Sequence, residues 1–141
     1  MRNNLDGMFI VTKAVARVLI PHSLGKIIKI ASLQSQAARY SIAPYTASKG
    51  AVKNLTKGIC TGWARCRLQV NAIGPGYFET PLKQALINNP EFDSWLKKRT
   101  QSGRWGKAEE LRDACIFLVS DASSFANGQT LYVDGSVLAT P

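Results

Sequence analysis

The stretch "KIIKIAS", residues 26–32, is short and rich in β-branched side chains, and Gly25 precedes it. This pattern is typical of a strand that is buried on both faces of a sheet. Two further stretches have a similar character, "LQVNAI" at 68–73 and "GQTLYVDG" at 128–135. The sequence therefore predicts three strands, near 26–31, 68–73 and 130–133.

The segments between these strands have the periodicity of helices. They cover residues 4–20, 44–65, 82–101 and 108–119, the third with a break near 88–90. Pro21 ends the first helix, and Pro44 fits the first turn of the second, where no amide donor is needed. Because strands alternate with helices, we predict an α/β fold with a parallel sheet, adjacent strands in chain order and helices on both faces.

The composition is that of one folded domain. The chain has 141 residues, of which 45% are hydrophobic and 19% charged. No apolar run reaches the roughly 18 residues of a membrane span, so no membrane contact is expected. The net charge of +9 is best explained by a solvated surface and next by an anionic substrate or cofactor phosphate. Nucleic acid is not expected, because the basic residues are scattered and form no known motif.

The cysteine and histidine content limits the chemistry further. Cys60, Cys66 and Cys115 form no CxxC pair, which is typical of thiols in a reducing compartment and predicts a cytoplasmic protein. His22 is the single histidine, and no metal site is expected around it.

Ser32, Tyr45 and Lys49 are the residues with the most evident chemical potential. Ser32 ends a strand, where open α/β sheets bind ligands, and Tyr45 and Lys49 share a helix face. A nearby ammonium lowers the tyrosine pKa of about 10 by about one to three units, which suits an acid–base acting on an alcohol or ketone. Such chemistry also needs a hydride carrier. Taken alone, the pair is better explained as a solvated lysine and a packed tyrosine.

Several spaced motifs along the whole chain favour the acid–base explanation instead. Ser32 lies thirteen residues before the Tyr-x-x-x-Lys of Tyr45 and Lys49, "NLDGMF" places Asn4 ahead of Gly-x-Phe, and "NAIGPGYFET" spans 71–80. The last motifs are "GRWGKAEELRDACIFLVSD" and "GQTLYVDG". In this order they resemble the C-terminal part of a short-chain dehydrogenase/reductase. The resemblance implies part of a Rossmann-like, doubly wound parallel sheet, with about three of its strands present.

The resemblance also implies roles for individual residues. Tyr45 would be the acid–base, Lys49 would lower its pKa and hold the nicotinamide ribose, Ser32 would position the substrate oxygen, and Asn4 would support a proton relay. The implied cofactor is NAD or NADP. The residues expected along the nicotinamide are Pro75, Gly76, Phe78 through its backbone, and Thr80. Structural roles are expected for Asn71 and Asp134, and helix-start roles for Glu109 and Glu110.

The resemblance also predicts the substrate and the oligomeric state. Long stretches such as "IASLQSQAARYSIAPYTASKG" resemble the gluconate 5-dehydrogenase branch, which implies interconversion of a sugar acid and its keto form. The alternative is an enzyme like the 3-oxoacyl-carrier-protein reductases. Relatives pair through the helices at 4–20 and 44–65, where we note Val52, Leu55, Ile59 and Trp63, so a dimer or tetramer of the full-length protein is expected.

One family motif is missing from the sequence. The glycine-rich turn Gly-x-x-x-Gly-x-Gly, which holds the dinucleotide pyrophosphate, does not occur. We therefore expect residues 1–141 to be a single incomplete domain, the catalytic C-terminal half, with an apolar open edge at "KIIKIAS" and no measurable activity alone. A hypothesis of another class is a non-catalytic remnant that only pairs with related subunits.

Overall fold

Three parallel strands form the centre of the molecule. The computed structural model describes residues 3–140. The strands are β1 (Gly25–Ile30), β2 (Leu68–Pro75) and β3 (Thr130–Val133), in the order β1-β2-β3. The register runs from Gly25 opposite Leu68 to Ile30 opposite Ile73, and from Ala72 opposite Thr130 to Pro75 opposite Val133. The predicted parallel sheet and strand order are confirmed, although β2 extends two residues beyond its predicted end.

Five α-helices connect and flank the strands. They are α1 (Met8–Leu19), α2 (Ala43–Trp63), α3 (Gln84–Ile87), α4 (Pro90–Arg99) and α5 (Ala108–Val119). The predicted break near 88–90 is confirmed, because the Asn89 side chain caps α4 by accepting the Glu91 and Phe92 amides at 3.0 and 3.1 Å. Residues Asn3–Gly7 form a π-helical turn (the π-turn) that leads directly into α1, so the predicted helix start near residue 4 is confirmed.

Helices cover both faces of the sheet. Lys26 lies in β1 and Ala31 directly follows the strand, five positions later, so their side chains point to opposite faces of the sheet. Lys26 Nζ donates to the Ser120 carbonyl at the end of α5, whereas Ala31 packs with Val52 of α2. The two helices therefore lie on opposite faces, as the alternation of elements predicted.

The central strand β2 holds most of the core. Its buried aliphatic side chains are Leu68, Val70, Ala72 and Ile73, a nearly continuous run because both faces of the strand are covered. Helix α2 contributes Val52, Thr56 and Ile59 to the same core. Each fully buried valine or leucine side chain contributes roughly 1.5–3 kcal/mol, so this layer holds the strand ends in place.

Hydrogen bonds anchor β3 and the start of α5. Asn71 donates to the Ala126 carbonyl at 2.8 Å and accepts from the Gln129 amide at 3.0 Å, and Asp134 accepts two amides of the C-terminal turn. Glu110 accepts the Lys107 amide at 2.7 Å. The structural roles predicted for Asn71, Asp134 and Glu110 are confirmed.

The outer edge of β1 is open within residues 3–140, where β2 is its one partner strand. Beside it, α1 and β1 enclose an apolar groove of about 480 Å³. Its aliphatic lining includes Met8, Val11, Val15, Ile27, Ile28 and Ile30, and the Ile30 residue is 52% exposed. The apolar open edge expected from the sequence is confirmed. Across the described residues, no helix has the length and apolarity to cross a membrane.

Candidate active site

Ser32 lies at the end of β1, where the strand passes into a polar loop. It is 7% exposed, and its extended backbone lets Oγ accept the Gln34 amide at 3.1 Å, which caps the short 3₁₀ turn Leu33–Ser35. Because Oγ acts as an acceptor in this contact, the hydroxyl proton remains available to donate to a ligand.

Tyr45 enters the same space from the first turn of α2. It is 42% exposed and lines, together with Ser32 and Gly76, a cleft of about 250 Å³. The other residues that line this cleft are Leu33, Gln34, Arg39, Ile42, Tyr77, Leu82 and Lys83. The cleft opens beyond the carboxyl ends of β1 and β2, which is where ligands bind in sheets of this kind.

Lys49 lies one turn after Tyr45, with Nζ 5.8 Å from the centre of the Tyr45 ring. Its ammonium donates to the Ile30 carbonyl at 2.8 Å. The Ala31 amide pairs with β2, so the preceding carbonyl of Ile30 points to the open edge of β1, where Lys49 reaches it. Burial lowers the pKa of Lys49.

Asn4 does not line the cleft. Its Nδ2 donates to Ser48 Oγ at 3.1 Å, and Ser48 Oγ donates to the Tyr45 carbonyl at 2.8 Å. Asn4 therefore ties the π-turn before α1 to the backbone of α2 between Tyr45 and Lys49. The four residues predicted as catalytic lie around one turn of α2 and the end of β1, and Asn4 reaches that turn through Ser48.

The loop after β2 is held by backbone contacts. The Gly76 amide donates to the Val133 carbonyl at 2.9 Å, and a side chain at Gly76 would place its Cβ 2.7 Å from the Asp134 Cα, so only glycine fits. Pro75 is the last residue of β2. Thr80 precedes the short turn Pro81–Lys83 and lies outside the cleft.

The side chain and the backbone of Phe78 have different surroundings. The ring is buried at 6% exposure and packs on Gly106, where a Cβ would lie 2.6 Å from it. The bridge between these two residues uses the Tyr77 carbonyl and the Glu79 amide. The amide and carbonyl of Phe78 itself therefore point away from this bridge.

Four polar or ionisable residues of the cleft were not predicted from the sequence: Gln34, Arg39, Tyr77 and Lys83. Gln34 is 7% exposed. The Nζ of Lys83 lies 5.0 Å from the centre of the Tyr77 ring. A usable signal was present, because both basic residues occur in polar loops that follow the two neighbouring strand ends.

Comparison with known proteins agrees with this geometry. A family model described as "Enoyl-(Acyl carrier protein) reductase", from the short-chain dehydrogenases, matches residues 1–137. The chain belongs to the short-chain dehydrogenase/reductase family. The family resemblance noted from the motifs is thereby confirmed.

Curated members of the short-chain dehydrogenase/reductase family are similar along almost the whole chain. Gluconate 5-dehydrogenase of Gluconobacter oxydans is 56% identical over 137 residues, which are 97% of this chain and 54% of that protein. The 5-keto-D-gluconate 5-reductase of Escherichia coli K12 is 49% identical over 135 residues, 96% of this chain and 53% of the relative. The chain thus spans about half the length of the curated relatives it matches.

A solved member of the family has the same fold. The gluconate 5-dehydrogenase of Burkholderia cenocepacia J2315, crystallised with NADP and tartrate, superposes with a TM-score of 0.97 at 56% identity. The match covers 100% of this chain and 55% of that one. The three-stranded sheet described above is therefore part of a Rossmann-like sheet, as the resemblance implied.

Proposed function

We propose that residues 1–141 are the catalytic C-terminal half of an NAD(P)-dependent oxidoreductase that interconverts a sugar acid such as gluconate and its 5-keto form. The observation that carries this proposal is the shared cleft of Ser32 and Tyr45, with the Lys49 ammonium 5.8 Å from the phenol ring. The similarity to gluconate 5-dehydrogenases and to a 5-keto-D-gluconate 5-reductase supports the choice of substrate.

In this proposal Tyr45 exchanges a proton with the substrate oxygen. The Ser32 hydroxyl donates a hydrogen bond to the same oxygen and fixes its position. Tyr45 takes the hydroxyl proton when the alcohol is oxidised and returns it when the ketone is reduced, and the Lys49 ammonium lies 5.8 Å from the centre of its ring. Asn4 supports this arrangement through Ser48, which holds the backbone between the two residues.

A nicotinamide dinucleotide, NAD or NADP, would supply or accept the hydride in this reaction. The residues present fit its nicotinamide end. The Phe78 amide and carbonyl, free of the bridge to Gly106, offer one donor and one acceptor, and Pro75, Gly76 and Thr80 continue the same loop. Lys49 would hold the ribose.

We infer that the 141 residues alone bind the dinucleotide weakly and have no measurable turnover. The sequence contains no glycine-rich phosphate turn, and such turns provide several of the contacts to the pyrophosphate. Every 1.4 kcal/mol of lost binding is about a tenfold loss of affinity.

A fusion protein tests the proposed function. The part of the Gluconobacter oxydans relative that this chain does not match is placed ahead of residues 1–141. We expect the fusion protein to bind NADP and oxidise gluconate, and the 141-residue chain to do neither, as measured by calorimetry and by absorbance of the reduced cofactor. A fusion protein that folds and binds NADP but oxidises no polyol acid would refute the proposal.

Two other outcomes would favour the alternatives. Reduction of 3-oxoacyl thioesters without gluconate turnover would support an enzyme like the 3-oxoacyl-carrier-protein reductases. A folded fusion protein that only associates with related subunits would support a non-catalytic role.

We also propose a cytoplasmic homo-oligomer for the full-length protein. Free thiols at Cys60, Cys66 and Cys115 suit a reducing compartment. The exposed apolar side chains of α1 are Phe9, Ile10, Val11, Val15 and Val18, and they suit burial against another subunit. Of the α2 residues noted in the sequence, Val52 and Ile59 are buried in this chain's own core, so they contribute nothing to such a surface.

A further inference from the structure

The cleft that holds Ser32 and Tyr45 is also lined by two cations, Arg39 and Lys83. The lining residues include no aspartate or glutamate. Within residues 3–140, the ion pairs are Lys97–Asp93, Arg104–Glu110 and Arg112–Asp113. Two like charges without a carboxylate partner repel each other, and they favour the entry of an anion.

Aromatic side chains hold these two cations beside the cleft. Lys83 Nζ lies 5.0 Å from the centre of the Tyr77 ring, and the Arg39 guanidinium carbon lies 5.7 Å from the centre of the Phe92 ring. The two rings pack edge to face with centres 6.0 Å apart. Both cations are therefore oriented by one aromatic surface, through cation–π contacts.

The electrostatic state of Lys83 agrees with this arrangement. Burial lowers the pKa of Lys83, and the charge of Arg39 lowers it further. A bound anion would relieve the repulsion between the two groups.

Gln34 adds a neutral polar group to the same cleft. The residue is 7% exposed, and its Oε1 has no hydrogen-bond partner within the described residues. A buried acceptor without a donor costs free energy, and a hydroxyl group of a ligand supplies the missing donor. The cleft thus combines cations for an anion with an acceptor for a hydroxyl, next to the Ser32 and Tyr45 hydroxyls.

We propose that Arg39 and Lys83 bind the carboxylate of the substrate and that Gln34 accepts a hydrogen bond from one of its hydroxyl groups. This inference rests on the proposed function, and it assigns the selection of an acidic polyol to three residues of this chain. A neutral analogue leaves both cations without an anion, so it is bound less well.

The test compares gluconate with gluconamide, which has the same hydroxyl groups but no charge, in the fusion protein described above. We expect Arg39→Gln and Lys83→Gln each to raise the KM for gluconate about tenfold or more, because each removes a charge-assisted hydrogen bond. For gluconamide, kcat/KM should stay within about twofold. Arg65→Gln and Lys57→Gln, which remove exposed cations elsewhere, are the matched controls and should leave both substrates unchanged.

Gln34→Met separates the hydroxyl contact from the carboxylate contact. It should lower kcat/KM for gluconate and gluconamide by the same factor, because both substrates keep their hydroxyl groups. Equal loss for both substrates in the Arg39 and Lys83 variants would overturn the proposal, since it would indicate a general disturbance of the cleft.

The fusion protein without substitutions separates the carboxylate assignment from the proposed function. Equal kcat/KM for gluconate and gluconamide would overturn the carboxylate assignment and leave the proposed function standing, because turnover would still be observed. Absence of turnover with every polyol would end both proposals together.

Discussion

The cleft beyond the carboxyl ends of β1 and β2 can be compared with the groove along the outer edge of β1. The cleft is lined by hydroxyl, amide and cationic groups from loops and from the start of α2, among them Ser32, Tyr45 and Arg39. The groove is lined mainly by aliphatic side chains of α1 and β1, and it contains one charged residue, Lys29. One region carries groups that suit a ligand, whereas the other carries apolar surface and a cation without a partner.

Two lysines of β1, one in the groove and one on the opposite face of the sheet, show what a hydrogen-bond partner does for a lysine ammonium. Lys26 Nζ donates to the Ser120 carbonyl and, at 3.1 Å, to Ser123 Oγ. Lys29 is 3% exposed, its Nζ has no hydrogen-bond partner within residues 3–140, and burial lowers its pKa to about 8. A lysine that is satisfied stabilises the fold, and one that is buried without a partner costs free energy.

The largest effect is expected for Tyr45→Phe in the fusion protein. Removing the phenol oxygen eliminates the proton exchange, so kcat should fall by about 100- to 10,000-fold, while NADP affinity measured by calorimetry should change little. Tyr40→Phe makes the same chemical change at a residue that is 93% exposed, and it should have no effect. Full activity of the Tyr45 variant would show that Tyr45 is an ordinary surface residue of α2 without a catalytic role.

A smaller effect is expected for Lys49→Met. The variant loses the charge beside Tyr45 and leaves the Ile30 carbonyl without its donor, so both NADP affinity and kcat should fall, each by about tenfold or more. Lys57→Met, two turns further along α2, should leave both quantities unchanged. An unchanged NADP affinity in the Lys49 variant would contradict the proposed contact between Lys49 and the ribose.

The smallest effect concerns stability and the groove. Lys29→Met should raise the free energy of unfolding at pH 7 by about 1–3 kcal/mol, because a buried donor without a partner is removed. Lys26→Met should lower it, because the Ser120 carbonyl and Ser123 lose their donor. Urea denaturation at pH 7 measures the free energy of unfolding of both variants. Two changes of the same sign would contradict the opposite effects assigned to Lys26 and Lys29.

The pH dependence of the wild-type chain provides a second measurement of Lys29. Its pKa is about 8 in the folded state against 10.5 for an ordinary lysine, so the unfolded chain binds more protons between these values. The free energy of unfolding should therefore rise as pH increases from 8 to 10.5. Lys29→Met should remove this rise, and an unchanged slope in the variant would show that another group titrates in this range.

Local patterns were sufficient for the elements, whereas a role for the site residues was predicted only once the spaced motifs indicated a family resemblance. The β-branched run before Ser32 predicted β1, and the loops with Gly and Pro predicted the limits of the helices, because these signals act within a few residues. The spacing of Ser32, Tyr45 and Lys49 predicted a common location, since helix periodicity puts Tyr45 and Lys49 on one face and the strand end brings Ser32 beside them.

Only the tertiary structure decided the contacts between distant parts of the chain. Arg39 and Lys83 are 44 positions apart and meet in one cleft because β1 and β2 are neighbours. The burial of Lys29 and the bond from Asn4 to Ser48 likewise depend on how α1 lies on the sheet and on α2. Sequence periodicity specifies which face of an element is apolar, but which side chains meet across elements, and which buried groups remain without a partner, follows from packing in three dimensions.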